Sequence, residues 1–130
     1  MTRPQRFIRT AYQASTKAEC TFLVGATIAL GSRIISTGCC TQKTHPRNPK
    51  IKRNSLSTQT CAEVKAAFRA IRKLPPEKIK KCTIYVARSR RDGTMGMAKP
   101  CSHCMSFLRE IGIRDIYYTT NSGKIERMEA

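Results

Sequence analysis

The sequence has no tryptophan and only 4 tyrosines and 4 phenylalanines among 130 residues. A stacking platform for extended single-stranded nucleic acid needs a series of exposed rings, so this composition gives such a platform little support. Acidic residues are scarce as well: 8 Asp and Glu face 25 Lys and Arg, a formal charge of +17. That imbalance attracts polyanions at long range and weakens with salt. It names no partner, because nucleic acid, an anionic membrane surface and a nucleotide phosphate all respond to it. Long apolar runs are also missing. The longest, Thr21 to Leu30, is interrupted by Gly25 and Thr27 and is too short to span a bilayer, so neither a membrane helix nor a membrane partner is expected. No apolar core directly follows the basic start Met1-Thr2-Arg3-Pro4-Gln5-Arg6, so a secretion signal is not expected. Internal repeats and low-complexity linkers are absent.

What is present fits one folded unit. A chain of 130 residues and 14.6 kDa with 40% hydrophobic residues is large enough for one core and too small for two. A single domain over 1–130 is expected, with a basic, flexible tail over 1–6 and an exposed basic loop over 41–60. Pro46 and Pro49 break that loop, and Lys43, Arg47, Lys50, Lys52 and Arg53 charge it. The cysteine count is odd, at 7, and the spacing Cys101-Ser-His-Cys104 suits a metal better than a disulfide. Cytoplasm or another reducing intracellular compartment is the expected setting.

Element by element, the pattern predicts a helix over Phe7–Ala18, strands over Cys20–Leu30 and Arg33–Ser36 joined at Gly31-Ser32, and a helix from Cys61 to Leu74. In that second helix Val64, Ala67, Phe68, Ile71 and Leu74 recur at helical spacing, and Pro75-Pro76 stops it. A strand over Cys82–Ala87, a turn at Asp92-Gly93, a helix opening at Pro100 and closing at Gly112, and a strand over Asp115–Thr120 follow, with a short last strand over Lys124–Met128. The order β-β-α-β-α-β implies an α/β fold with a mixed sheet whose later strands run parallel. Tyr117 and Tyr118 alternate on their strand, so one of them is expected to face the core.

Cys101 and Cys104 stand three apart at the start of a helix, which lets both thiols point to one place, and the positive helix end favours their thiolates. Cys61 opens the other helix and adds a third sulfur if the two helix starts lie side by side. Three protein ligands leave a fourth zinc position for water, and Glu63 stands two residues after Cys61. On the Cys101–Cys104 pair alone, a structural zinc knuckle is the alternative. Cys20, Cys39, Cys40 and Cys82 read as ordinary core residues.

Cys61-Ala-Glu63 with Pro100-Cys101-Ser-His-Cys104 resembles the zinc-binding signature of the cytidine and deoxycytidylate deaminase superfamily. Gly38, Lys43-Thr44-His45-Pro46 and Gly112-Ile-Arg-Asp-Ile-Tyr-Tyr-Thr119 further resemble segments of its small phage-type members, so the likeness covers most of the chain after residue 20. It implies a three-layer α/β/α fold and a Zn2+ ion held by Cys61, Cys101 and Cys104. It also implies a water, activated at that metal, attacking C4 of a cytosine or C6 of an adenine, with Glu63 moving the protons. His45, Ala62, Pro100 and His103 become candidate substrate contacts, and a homo-oligomer is expected. Two positions differ from the family pattern. Many relatives have His where this chain has Cys61, and phage-type relatives place an Asn for the substrate sugar a few residues before Lys-Thr-His-Pro, where this chain has Cys39-Cys40.

The expected activity is hydrolytic conversion of cytosine to uracil in a (deoxy)cytidine nucleotide or nucleoside, or in single-stranded nucleic acid. The basic residues between Lys43 and Arg53, with Arg88, Arg90 and Arg91, are read as loop positions that meet a polyanionic substrate. The rival expectation is a catalytically inactive, zinc-stabilised nucleic-acid-binding protein of the same fold.

Overall fold

The computed structural model describes residues 2–18, 23–40, 61–90 and 92–130. The expected basic loop over 41–60, with His45, lies outside them. The elements in chain order are α1 (Arg3–Ser15), β1 (Leu23–Leu30), β2 (Arg33–Cys39), α2 (Ala62–Lys73), α3 (Pro76–Ile79), β3 (Thr83–Ser89), β4 (Met95–Gly96), α4 (Ser102–Ile111), β5 (Asp115–Thr119) and β6 (Ile125–Glu129).

Helix α1 starts four residues before the expected Phe7, and residues 3–6, expected as a flexible tail, form its first turn. Thr2 is the reason. Its side chain accepts from the Gln5 backbone N–H while the Gln5 side chain accepts from the Thr2 N–H, a reciprocal capping box, with Pro4 in the first turn. The helix ends at Ser15 rather than Ala18.

The six strands form one sheet in the order β2-β1-β3-β5-β6, with β4 paired to the end of β3. β1 runs antiparallel to both β2 and β3, β3 and β5 are parallel, and β6 returns antiparallel to β5. α1 covers one face, where Phe7, Ile8 and Ala11 pack with Ala29, Tyr85 and Ala87. The other face carries α2 and α4, with Ala26, Ile28, Ile84, Val86 and Ile116 beneath Val64, Ala67, Phe68 and Leu108. Three layers result, as the resemblance implies. Because both faces are covered, both neighbouring tyrosines are used: Tyr118 is buried in the α2/α4 cluster, and Tyr117 packs against the α1 cluster and stacks on Tyr85 at 5.2 Å. The expectation that only one of them meets a core fails for that reason.

Two contacts set α2 on the sheet. A Cβ at Gly38 of β2 would stand 2.8 Å from Ala66 N and 2.9 Å from Ala62 O, so only glycine lets the first turns of α2 approach this closely. Ser36 Oγ donates to Ala66 O at 2.7 Å beside it. Midway along α2, the rings of Phe68 and Phe107 meet edge to face at 5.3 Å and join α2 to α4. α4 stops at Gly112, which takes the left-handed conformation (φ 102°) as its C-cap.

β2 is the outer strand on its side of the described sheet. Two of its carbonyls are covered: Lys73 Nζ donates to Ile35 O at 2.9 Å and Arg69 Nη1 donates to Thr37 O at 2.7 Å. Unpaired edge groups invite pairing with another chain, and two cations from α2 occupy these.

Candidate active site

Two helix N-termini meet on one face of the sheet, and a cysteine stands at each. Cys61 is the N-cap of α2 and Cys101 the N-cap of α4, both with extended backbone and neither making a side-chain cap hydrogen bond. Pro100 therefore precedes the cap instead of opening the helix, as the sequence pattern suggested. Cys104 lies in the first turn of α4 and is buried, while Cys61 and Cys101 are half-buried.

The sulfur of Cys104 is hydrogen-bonded to those of Cys101 and Cys61. Those two contacts, then burial and then the nearby charges of Glu63 and Cys61, push its thiol far above the usual thiol range. All three thiols are free of disulfides. Glu63, in the first turn of α2, is 6% exposed, and a carboxylate there also complements the positive end of the helix. The structure thus brings Cys61, Glu63, Cys101 and Cys104 to one place.

As they stand, Cys61 and Cys101 are each hydrogen-bonded to Cys104, and among the described residues no group of three or more His, Cys, Asp or Glu side chains is set to hold a metal ion. The chemistry of the donor set nonetheless fits zinc. Three cysteines without disulfides at two adjacent helix starts are soft ligands, and the positive helix ends favour the thiolates that a metal requires.

The remaining candidates divide. Ala62 is fully buried and Pro100 is buried, both beside the cysteines, whereas His103 is half-buried on the first turn of α4. Cys39 ends β2 as a free thiol and Cys82 is free and buried. Cys40, expected as an ordinary core cysteine, is instead held in a disulfide. Arg88, expected in a loop, lies in β3, and its side chain packs against Gly96; Arg91 lies outside the described residues.

Sequence reasoning passed over Thr119 and Asn121 at the end of β5. They hold the segment that leads to Cys101: Thr119 Oγ1 donates to Gly96 O, Ala98 N–H donates to Thr119 O, and Met97 N–H donates to Asn121 Oδ1. Nothing in a local pattern marks two polar residues after a strand, because the contact forms only once the chain returns between β3 and β5.

Solved structures of similar shape share the fold. The chain is similar to a cytidine deaminase from Burkholderia pseudomallei, with 23% identity, a TM-score of 0.72, and coverage of 99% of this chain and 93% of that one. It is similar to the dCMP deaminase of cyanophage S-TIM5 in its apo form, with 16% identity, a TM-score of 0.65, and coverage of 92% and 83%. A structure from work on A-to-I editing by tRNA:A34 deaminases matches at 19% identity with a TM-score of 0.57, covering 92% of this chain and 78% of that one. Among curated proteins no sequence matches. Likeness at these identities shows a shared deaminase fold. The family is shown by the sequence itself: residues 1–120 match the cytidine and deoxycytidylate deaminase zinc-binding region, and the chain belongs to that family. Among the described residues no helix is long and apolar enough to cross a membrane.

Proposed function

We propose that the chain is one deaminase domain, a zinc-dependent hydrolytic enzyme that converts cytosine to uracil in a (deoxy)cytidine nucleotide or nucleoside, or in single-stranded nucleic acid. The observation that carries this reading is the meeting of the Cys61, Cys101 and Cys104 sulfurs with the buried carboxyl group of Glu63 beside them.

Cys61, Cys101 and Cys104 would hold zinc, which supplies the Lewis acidity that makes a water nucleophilic near neutral pH. The protein's own part is proton transfer and placement. Glu63 takes a proton from the attacking water as oxygen adds to C4 and delivers it to the ring nitrogen N3. It then passes the water's second proton to the exocyclic amine, so that the C4–N bond breaks with loss of ammonia and the uracil carbonyl forms. Pro100, Ala62 and His103 lie on the two segments that carry the proposed ligands and are the proposed base contacts, with His45, outside the described residues, proposed beside them. Five of the described cysteines are free of disulfides, which favours a reducing intracellular setting, while the disulfide at Cys40 counts against one. The family kinship favours a homo-oligomer.

The second reading, an inactive zinc-stabilised protein that binds nucleic acid, is favoured by the charge of +17 and by Cys39-Cys40 in place of an asparagine for the sugar. Ammonia release and product mass, measured with cytidine, deoxycytidylate, adenosine and cytosine-containing single-stranded DNA and RNA, separate the two. Turnover by zinc-loaded protein that disappears in Glu63→Ala supports the enzyme and selects its substrate. Zinc retained by both proteins, with salt-sensitive nucleic-acid binding and no turnover of any substrate, replaces it with the binding reading. Turnover of adenine alone keeps the enzyme and corrects the base.

A further inference from the structure

The thiol cluster has two limbs, and they are supported differently. The Cys61 limb is fixed by α2 lying against Gly38 and Ser36. The Cys101–Cys104 limb arrives on an irregular segment, residues 97–101, between β4 and α4. Such a segment has no ladder of its own to fix it.

Three hydrogen bonds from the end of β5 fix its start. Thr119 Oγ1 donates to Gly96 O at 2.7 Å, Ala98 N–H donates to Thr119 O at 2.9 Å, and Met97 N–H donates to Asn121 Oδ1 at 3.0 Å. Three consecutive residues are therefore tied by two. The Thr119 side chain is fully buried and its hydroxyl is used twice, since it also accepts from Arg88 N–H at 3.3 Å and so links the segment to β3. Asn121 Oδ1 has a second donor as well, Arg90 Nη2 at 2.6 Å, and Arg90 Nη1 reaches Thr94 Oγ1 at 3.5 Å. Only Lys99 and Pro100 separate Ala98 from Cys101, and Pro100 is buried with its φ fixed by the ring. A displacement at Met97 or Ala98 thus has little chain in which to dissipate before it reaches the sulfur of Cys101.

We propose that Thr119 and Asn121 are positioning residues for the Cys101–Cys104 limb, setting where the Cys101 sulfur stands relative to Cys61. The proposal rests on the reading that these cysteines hold zinc. Groups that orient metal ligands from behind commonly change metal affinity by about 10–100-fold when removed. Because Asn121 is exposed and Thr119 is buried, the two residues make complementary probes. Asn121→Ala removes an acceptor without opening the core. Thr119→Val keeps the shape and deletes the hydroxyl.

Zinc affinity by competition with a chromophoric chelator, the thiolate-to-metal absorption of the cobalt-substituted protein, and denaturation of the metal-free protein test it. They are compared across wild type, Asn121→Ala, Asn121→Asp, Thr119→Val and Thr119→Ser. The expected result is a loss of about tenfold in zinc affinity with an altered cobalt spectrum for Asn121→Ala and Thr119→Val. Asn121→Asp keeps the acceptor and Thr119→Ser keeps the hydroxyl, so both should stay near wild type. Wild-type affinity and an unchanged cobalt spectrum in Asn121→Ala overturn the proposal alone, even if Thr119→Val fails to fold. Variants that lose metal-free stability while zinc affinity stays constant overturn it too, because that is a purely structural role. Wild-type protein that binds no zinc overturns the metal reading, and this proposal with it.

Discussion

Cys61 and Cys101 occupy the same place in two different helices: each is an N-cap with extended backbone, and neither side chain caps its helix. Ser, Thr, Asp and Asn are preferred at that position because their oxygens accept from the free N–H groups of the first turn. The chain uses this preference in α1, where Thr2 forms a full capping box with Gln5. At α2 and α4 it forgoes that stabilisation, and the two sulfurs meet Cys104 instead. Cys61→Ser and Cys101→Ser are therefore expected to shift the metal-free protein in opposite directions for stability and for zinc. Denaturant unfolding should show each substitution stabilising the metal-free form by up to about 1 kcal/mol, while chelator competition shows zinc affinity falling sharply. Serine variants that bind zinc as wild type does would remove these two residues from the site.

Arg69 and Lys73 are expected to protect an edge. Their donors cover Thr37 O and Ile35 O on the outer side of β2, and each such hydrogen bond contributes on the order of 1 kcal/mol. The double substitution Arg69→Met with Lys73→Met keeps much of the apolar stems and removes both donors. It should lower stability by roughly 1–3 kcal/mol and produce concentration-dependent association beyond that of the wild type. Sedimentation velocity over a range of concentrations reads the second effect. Identical sedimentation by the two proteins would mean that the edge is guarded by something else.

Gly38→Ala tests how tightly α2 is seated. The added methyl would meet two backbone atoms, Ala66 N at 2.8 Å and Ala62 O at 2.9 Å, and backbone in a helix cannot rotate away as a side chain can. Overpacking of this kind costs about 1–3 kcal/mol. Since Ala62 lies between Cys61 and Glu63, the substitution should also weaken zinc binding. Thermal unfolding and zinc competition on the same preparation give both numbers. An unchanged melting temperature would show that α2 moves freely on the sheet.

Where periodicity was strong, the sequence located the elements well. Val64, Ala67, Phe68 and Ile71 placed α2 to within a residue at each end, and Cys61-Ala-Glu63 with Pro100-Cys101-Ser-His-Cys104 picked out the residues that the fold brings together. The start of α1 was legible but missed: Thr2-Arg-Pro-Gln5 has the spacing of a capping box with proline in the first turn. Pro75-Pro76 reads as a stop in the sequence, but proline also opens helices, and Pro76 begins α3. β4 has only two residues, too few for any alternation to register. Thr119 and Asn121 lay beyond reach for a different reason. Their partners, Gly96, Met97 and Ala98, are about twenty or more residues away in sequence, and the contact depends on β3 and β5 being parallel neighbours.

Reactivity of the cysteines should separate the proposed ligands from the rest. Cys39 is half-buried and free, Cys82 is free and buried with its thiol pushed up by desolvation, and Cys40 is in a disulfide. Alkylation proceeds through the thiolate, so in zinc-loaded native protein Cys39 should be modified first and Cys82 slowly. Cys61, Cys101 and Cys104 should be shielded by the metal. A chelator should release the half-buried pair, Cys61 and Cys101, to rapid modification, with Cys104 lagging because its thiol is raised by its sulfur neighbours and by burial. Peptide mapping by mass spectrometry after timed alkylation reads each site separately. In protein denatured without reductant, the five free cysteines, Cys39, Cys61, Cys82, Cys101 and Cys104, should react and Cys40 should not. Labelling of Cys61 and Cys101 at the rate of Cys39 in the zinc-loaded form would count against a metal held by these thiols. Modification of Cys40 under the same denaturing conditions would show that its disulfide does not persist in the isolated protein.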